Sequence, residues 1–416
     1  MSEEVLSADI VVIGAGIAGL SVAYHAVRRG YSVVVLDRGL SGTTQSATGL
    51  IAPRSDYLLE DLPLVAESAS ACLLLQKLFP DLIRMTPFVI PIGPNMPYPR
   101  RVIEGLIAYY EMLTSRMLAR PPYQFISGTH LSDLEPALRP GYFTGAFVVH
   151  ELAVDAAMLL GVLRRNISGA GAAIVPVGPV FEAHVGGRTV QALHVTGSRT
   201  GTMIKIRGRS RPLSIVNATG PWLAETARQF GIDLDIRLYR GTQMLVPGVP
   251  FRNNIISFSP DDGKYVIHLR HGQTLQVGPT NIAAGSHPIG GYDRREIEYL
   301  RNALRELTGK TIPGYEHAKV GWRVKLPGGI DRNRPVFWHH AKDGITNLHS
   351  FHPGKLSLAL AGASELLNLM SNKHAGRIFS IDGHDPGNRQ TYYGVRLASG
   401  IRTGAHVLKF LISGKA

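Results

Sequence analysis

A single cysteine, Cys72, occurs in 416 residues. One thiol excludes a disulfide framework, a multi-thiolate zinc site and a thiolate-held iron–sulfur cluster. Cys72 sits in the apolar run Ser70-Ala71-Cys72-Leu73-Leu74-Leu75, where a small core hydrophobe is expected rather than a reactive thiol. Long apolar runs are also missing. The first, Ile10 to Tyr24, is broken by Gly14, Gly16 and Gly19, and no stretch reaches the roughly 18 apolar residues that a membrane-spanning helix needs. Glu3 and Glu4 stand where a secretory leader carries positive charge, so none is expected. Acidic residues are in deficit, 31 against 44 Lys and Arg, for a net charge of +13. That balance suits nucleic acid, anionic lipid or a phosphorylated substrate. Yet no basic arm and no aromatic-and-basic RNA-binding motif is present, and nucleic acid is not expected as a partner.

What is present is globular. Charged residues are 18% and hydrophobic ones 44%, and the length suits two to three domains. Asp9-Ile10-Val11-Val12-Ile13 is a continuous β-branched run, as expected of a strand buried on both faces. Ile17 to Arg29 reads as a helix and Tyr31 to Leu36 as a second buried strand, giving a β-α-β unit. A Gly/Ser/Thr-rich loop follows over 40–57. Helical spacing predicts helices over 62–79, 101–118, 154–167 and 294–307, and a last one from Lys355 to Met370. Strands are expected at 87–92, 172–175, 213–217 and 345–348, with a hairpin around Gly186-Gly187. From Asp235 to Val277 the period changes to alternation, as in Ile236-Arg237-Leu238-Tyr239, which predicts an antiparallel sheet inserted into an α/β chain. The expected division is a discontinuous α/β domain over 1–85, 150–235 and 335–370, a second domain over 86–149 and 236–334, and a C-terminal extension over 371–416. The extension holds seven Lys or Arg and two Asp or Glu.

Gly14-Ala15-Gly16-Ile17-Ala18-Gly19 follows a buried strand and opens a helix. The first glycine permits the tight turn, the second lets backbone amides approach a pyrophosphate, and the third lets helix and strand pack closely. The helix N-terminus adds partial positive charge. Asp37 closes the second strand, where a carboxylate accepts from both ribose hydroxyls and repels a 2′-phosphate. This unit alone does not separate NAD from FAD. The later segment Ile215-Val216-Asn217-Ala218-Thr219-Gly220-Pro221-Trp222, an apolar strand ending in Ala-Thr-Gly, favours FAD: in two-dinucleotide-domain flavoproteins such a strand runs back under the cofactor.

The segment from Asn217 to Trp222 resembles the FAD-dependent glycerol-3-phosphate dehydrogenases, within the D-amino-acid-oxidase-like superfamily. So do Ala47-Thr48-Gly49-Leu50-Ile51, Arg240-Gly241-Thr242-Gln243-Met244-Leu245-Val246-Pro247, Gly278-Pro279-Thr280-Asn281, Gly321-Trp322-Arg323 and Pro353-Gly354-Lys355-Leu356, in that order over about residues 8–370. The resemblance implies a Rossmann-like FAD-binding domain of the glutathione-reductase or DAO type, carrying an inserted mixed or antiparallel β-sheet substrate domain. It implies FAD contacts from Gly14, Gly16, Ile17, Ala18 and Gly19, from Asp37 and Arg38, and from Ser46, Ala47, Thr48, Gly49 and Leu50. Val180 is expected to join them, as are Ala218, Thr219, Gly220 and Trp222, and then Gly354, Lys355 and Leu356. It implies oxidation of sn-glycerol 3-phosphate, a quinone or partner protein as electron acceptor, a homodimer, and a cytoplasmic location with peripheral membrane contact. There are departures. Ala52, followed by Pro53-Arg54, stands where family members often have histidine, and Pro353 replaces a glycine.

Oxidising a secondary alcohol with flavin needs a hydride acceptor, a base for the hydroxyl proton, and donors that hold the substrate. A phosphate calls for guanidinium and ammonium groups. Arg323 and Lys355 fit by resemblance, and Arg54, in the loop expected to face the flavin, is a third candidate. Lys355 is expected in the first turn of the last helix, where a cation opposes the macrodipole unless an anion or the flavin carbonyl lies there. His352 is the candidate base. Each has a plain alternative: a salt-bridged structural arginine, a solvated lysine, an exposed loop arginine, a polar loop histidine. His339-His340 lacks an accompanying carboxylate cluster, and no metal site is expected. Val407-Leu408-Lys409-Phe410-Leu411-Ile412 suits an anionic membrane, a partner subunit, or packing on its own domain. Two other activities fit the residues: an oxidase or dehydrogenase of amino or 2-hydroxy acids, with Arg323 clamping a carboxylate, and a flavin-containing nucleic-acid protein.

Overall fold

The computed structural model describes residues 4–40, 42–51, 62–114, 118, 121–209, 212–285, 288, 290–311, 314–315, 317–326, 333–371, 378–381 and 392–395. Their strands form two sheets. The centre of the first is parallel: Ala173–Gly186, Val33–Asp37, Ile10–Ile13, Ser214–Asn217 and Leu348–His352 lie side by side in that order. On one flank the hairpin of Ala173–Gly186 and Thr189–Gly197 continues into Met203–Gly208 and Glu4–Ala8. On the other flank come Val336–His339, Tyr392–Val395 and Ile378–Ile381. The central strands read as unbroken apolar runs because both faces are covered. Ile10, Val12, Val33 and Val35 enter one core cluster, with the helix Ile17–Arg28. Val11, Ile13, Val34 and Leu36 enter another on the opposite face.

The second sheet runs Ile282–Ala284, Arg237–Pro247, Thr274–Gly278, Tyr265–His271, Asn254–Phe258, Arg84–Ile92, Gly145–Ala153 and Gln124–Ser127, with His317–Lys325 paired to Arg237–Pro247. The helix Arg294–Thr308 packs on it through Ile297, Leu300, Ala303, Leu304 and Leu307, a helical spacing. Its start is fixed by a capping box of Asp293 and Glu296, and its end by Gly309 at φ +68°. The helix Ala156–Gly169 is capped by Asp155, which accepts from the Ala157 amide (2.9 Å) and the Met158 amide (3.0 Å). Asp155→Ala should cost about 1 kcal/mol, read as a lower urea midpoint at unchanged slope.

Several expectations change. The last parallel strand is Leu348–His352 rather than 345–348, because the turn closing on Gly344 (φ +97°) holds Ile345 to His340. The last helix is Ala359–Met370, so Lys355 is not in its first turn. Pro353 and Gly354, the latter at φ +70°, put Lys355 in a turn before the helix, and the macrodipole argument does not apply to it. The short strand expected at 172–175 continues to Gly186. The strands His317–Lys325 and Val336–His339 were not anticipated. Gly145–Ala153 belongs to the second sheet throughout, pairing with Arg84–Ile92, so that sheet extends past residue 149 and before residue 86. Cys72 is fully buried and donates to the Ile51 carbonyl oxygen (2.7 Å). Residues 407–412 lie outside the described residues. Among the described residues no helix is long and apolar enough to cross a membrane.

Candidate active site

The first β-α turn is held in a shape only glycine permits. Gly14 sits at φ +104°, and a Cβ there would lie 2.8 Å from the Ala218 carbonyl oxygen. A Cβ on Gly19 would lie 1.8 Å from the Gly14 carbonyl oxygen, so helix and turn are in backbone contact. Gly16 differs: a Cβ would meet only Thr44 Oγ1, at 3.7 Å, leaving its approach face open. The Ala15 amide donates to Asp37 Oδ2 (2.6 Å) and the Gly39 amide to Asp37 Oδ1 (2.8 Å). Thr44 Oγ1 accepts from the Ile17 amide (3.2 Å), tying the loop that follows to the helix start.

A cavity of about 1420 Å³ opens from this turn. Pockets for one small molecule run to roughly 1,000 Å³, so there is room here for a dinucleotide and a second molecule. One end is walled by Gly14, Gly16, Ile17, Ala18, Asp37, Arg38, Ala218, Thr219, Gly220 and Trp222. Gly178, Pro179 and Phe181, where the ladder of Ala173–Gly186 slips, flank Val180 and line the same end. Ser46, Ala47, Thr48 and Leu50 also line the cavity, as do His352, Gly354, Lys355 and Leu356. Gly19 and Gly49 are not on the wall. Gly19 packs helix on turn, and Gly49 (φ +85°) backs onto Val154, whose carbonyl oxygen a Cβ would meet at 2.3 Å. Arg54 lies outside the described residues.

The second sheet supplies another part of the cavity wall: Arg240, Gly241, Gln243, Ile256, Tyr265, Ile267, Asn281, Arg323 and Lys325 line it. The Arg323 guanidinium donates to Asn281 Oδ1 (2.9 Å) and to the Thr280 carbonyl oxygen (3.2 Å). It lies over Gly241, where a Cβ would be 2.8 Å from its Nη2. Arg240 is paired with the buried Glu296 (2.6 Å), which also accepts from Thr242 Oγ1 (2.9 Å) and Thr280 Oγ1 (2.7 Å). The middle loop is sewn to this sheet. Ser46 Oγ donates to the Val320 carbonyl oxygen (2.8 Å), Thr43 Oγ1 to that of Trp322, and Gln243 Nε2 to that of Ser46 (2.5 Å). The loop hydroxyls thereby satisfy edge carbonyls of the strand that carries Arg323.

His352 ends its strand at the cavity. Its two ring nitrogens are buried and have no hydrogen-bond partner among the described residues. Burial pushes its pKa down to about 4, so the imidazole is neutral at pH 7 and able to accept a proton. Unpartnered buried nitrogens are costly unless a ligand meets them. His339 and His340 are placed elsewhere: His339 stacks on His349, and His340 bridges Asp343 and Ser350.

The residues fit FAD: a glycine turn with one open face, a carboxylate at the end of the second strand, and a cavity with the volume for the dinucleotide. The family profile described as "DAO: FAD dependent oxidoreductase" matches residues 9–368. The chain belongs to the DAO family of FAD-dependent oxidoreductases. Among relatives, this oxidoreductase is 28% identical to D-erythritol 1-phosphate dehydrogenase of Brucella abortus, over 71% of this chain and 59% of that one. It is 27% identical to glycerol-3-phosphate dehydrogenase of Mycobacterium leprae, over 80% and 57%. The chain thus spans just under three-fifths of the length of these curated relatives. Its fold is similar to that of the glycerol-3-phosphate dehydrogenase from Bacillus halodurans complexed with FAD (TM-score 0.68, 17% identity, 88% of this chain and 65% of that one). It is similar also to glycine oxidase from Geobacillus kaustophilus (TM-score 0.65, 16% identity, 89% and 96%).

Sequence reasoning quoted the segments that hold Arg240, Gln243 and Asn281 but did not single those residues out. Lys325, two positions after Arg323, was also passed over. Thr43 and Thr44, which anchor the loop, were hidden in its Gly/Ser/Thr composition.

Proposed function

We propose that the flavoprotein oxidises sn-glycerol 3-phosphate to dihydroxyacetone phosphate, with the electrons passed on to a quinone or a partner protein. The observation that carries this reading is the Arg323 guanidinium, held by neutral oxygens at the substrate end of a cavity that also accommodates FAD. A guanidinium presents a bidentate edge to an anion. The two phosphate-substrate dehydrogenases among the relatives support the same choice.

Bound FAD supplies the two-electron oxidant that takes the carbinol hydride. This chain's residues do the rest. Arg323 fixes the phosphate and, through it, the carbinol carbon. His352, neutral and unpartnered, accepts the hydroxyl proton at a ring nitrogen. Lys355, on the same wall, supplies positive charge beside the reacting centre. Arg54 is retained as a further anion ligand. In this reading the enzyme works in the cytoplasm or against the cytoplasmic face of the membrane, where its net charge of +13 favours anionic lipid.

Anaerobic mixing with sn-glycerol 3-phosphate tests the reading through the visible flavin absorbance, with glycerol, glycine and lactate as parallel controls. Bleaching with the phosphorylated substrate alone is expected. Arg323→Met should then lower kcat/KM by roughly a hundredfold or more, about 3 kcal/mol. Bleaching by glycine or lactate, with none by glycerol 3-phosphate, would make Arg323 a carboxylate clamp.

A further inference from the structure

Two cations, not one, converge at the substrate end. Tyr239 pairs with Arg323 and Arg237 with Lys325 across the antiparallel ladder, so all four side chains leave the same face of the sheet. The opposite face of this ladder, through Leu238, Trp322 and Val324, is buried in the core. Arg323 and Lys325 both line the cavity. Neither extends straight out. The Arg323 head lies back over Gly241, in the next pair on the same face, and the Lys325 ammonium lies over the Tyr239 ring, 3.7 Å from its centroid. The two heads therefore lean the same way, one step apart along the strand. Residues two apart on a strand are separated by about 7 Å. One phosphoryl group, with charge-assisted contacts of about 2.8 Å on either side, spans such a gap.

The geometry points to Lys325 as a second ligand of the substrate's anionic group, selecting a phosphoryl dianion over a carboxylate. A phosphate monoester carries close to two negative charges at pH 7, its second pKa being about 6. A carboxylate carries one and is satisfied by Arg323 alone. At the Gly241–Gly321 pair a Cβ would meet Arg323 Nη2 at 2.8 Å and Ser46 Cβ at 3.0 Å, so the two glycines let the guanidinium and the Ser46 loop lie on the backbone beside the place proposed for the anion. The inference deepens the proposed function and rests on it, since it presumes that the cavity end beyond the flavin holds the substrate's anion.

The test uses the FAD-loaded protein and inorganic phosphate, with acetate as the single-charge comparison, binding being followed by the shift in flavin absorbance. Lys325→Met keeps the aliphatic stem and removes the charge at a half-buried position. It should weaken phosphate binding by roughly tenfold or more and leave acetate binding nearly unchanged. KM for glycerol 3-phosphate should rise by a similar factor at unchanged kcat, and Lys325→Arg should restore both. In the parent protein phosphate affinity should climb as pH rises through the second ionisation of inorganic phosphate, near neutrality, and Lys325→Met should flatten that climb. Equal phosphate affinity in the parent and Lys325→Met proteins overturns the inference while leaving the proposed function standing. A parent protein that binds acetate and oxidises an amino or hydroxy acid, but neither binds phosphate nor oxidises glycerol 3-phosphate, overturns both.

Discussion

Gly19→Ala is expected to yield a protein that holds no FAD and is destabilised by roughly 3 kcal/mol or more. The added Cβ would sit 1.8 Å from the Gly14 carbonyl oxygen and 3.0 Å from Val12 Cγ1. The first of these is backbone, so no side-chain rotation relieves it. Either the helix Ile17–Arg28 lifts off the strand Ile10–Ile13, or the turn carrying Gly14, Ala15 and Gly16 is pushed out of shape. The first opens the core cluster around Val12 and Leu20. The second moves the Ala15 amide off Asp37. Gly16→Ala is the control. It has φ −76° and an open approach face, so the methyl group strains nothing in the protein and stands where a pyrophosphate would come close. Freed of FAD, that variant should unfold at the urea midpoint of the FAD-free parent, and it should bind FAD far more weakly. Flavin-to-protein absorbance after purification and urea midpoints distinguish the two. A Gly19→Ala protein with full flavin content would show that the turn is not the cofactor's cradle.

The second large effect is acid lability. His268 is fully buried, with Nε2 against Ser257 Oγ (2.8 Å), and burial pushes its pKa down to about 3. Burial, followed by the charges of His339 and His340, brings His349 to about 3, and burial brings His352 to about 4. All three are lowered from an unfolded value near 6.5. Between those limits the unfolded chain binds more protons than the folded one, so stability is complete above about pH 6.5 and falls as pH drops towards the folded values. Near pH 5 each histidine contributes about 1.4 kcal/mol per pH unit, roughly 4 kcal/mol for the three. A total stability of order 5–15 kcal/mol would be consumed within a few units. Urea midpoints at fixed FAD should therefore drop steeply from pH 6.5 to 5 and be nearly flat from 8 to 7. A midpoint unchanged between pH 7 and 5 would mean that these rings are solvated.

Where sequence reading succeeded, the information was contiguous. Val11 and Val12 are neighbours that face opposite cores, so the run itself announces a strand covered on both sides. The glycines of the first turn are spaced by the helix they open. Where it failed, the deciding contacts were distant. His317–Lys325 contains Gly321 and shows weak strand character by itself. Its conformation comes from nine residue pairs with Arg237–Pro247, some eighty positions away. Lys355 was read as a helical residue because Leu356 to Met370 is rich in helix formers, yet Gly354 is held at φ +70° by close approach to Arg334 and Asn333, whose carbonyl oxygens a Cβ would meet at 2.5 Å.

The sequence by itself determined the cofactor end of this oxidoreductase, because a dinucleotide is gripped by one turn, one helix start and one strand end that follow each other along the chain. The tertiary structure decided the part of the cavity proposed to take the substrate. Arg323 and Lys325 come from one strand of the second sheet, Gly241 from its neighbour and Asn281 from a turn, and which of them meet depends on register. A slip of one residue would turn Arg323 and Lys325 to the opposite face of the sheet. At the pairing of Gly241 with Gly321 the absence of side chains lets the guanidinium and the loop of Ser46 close on the backbone.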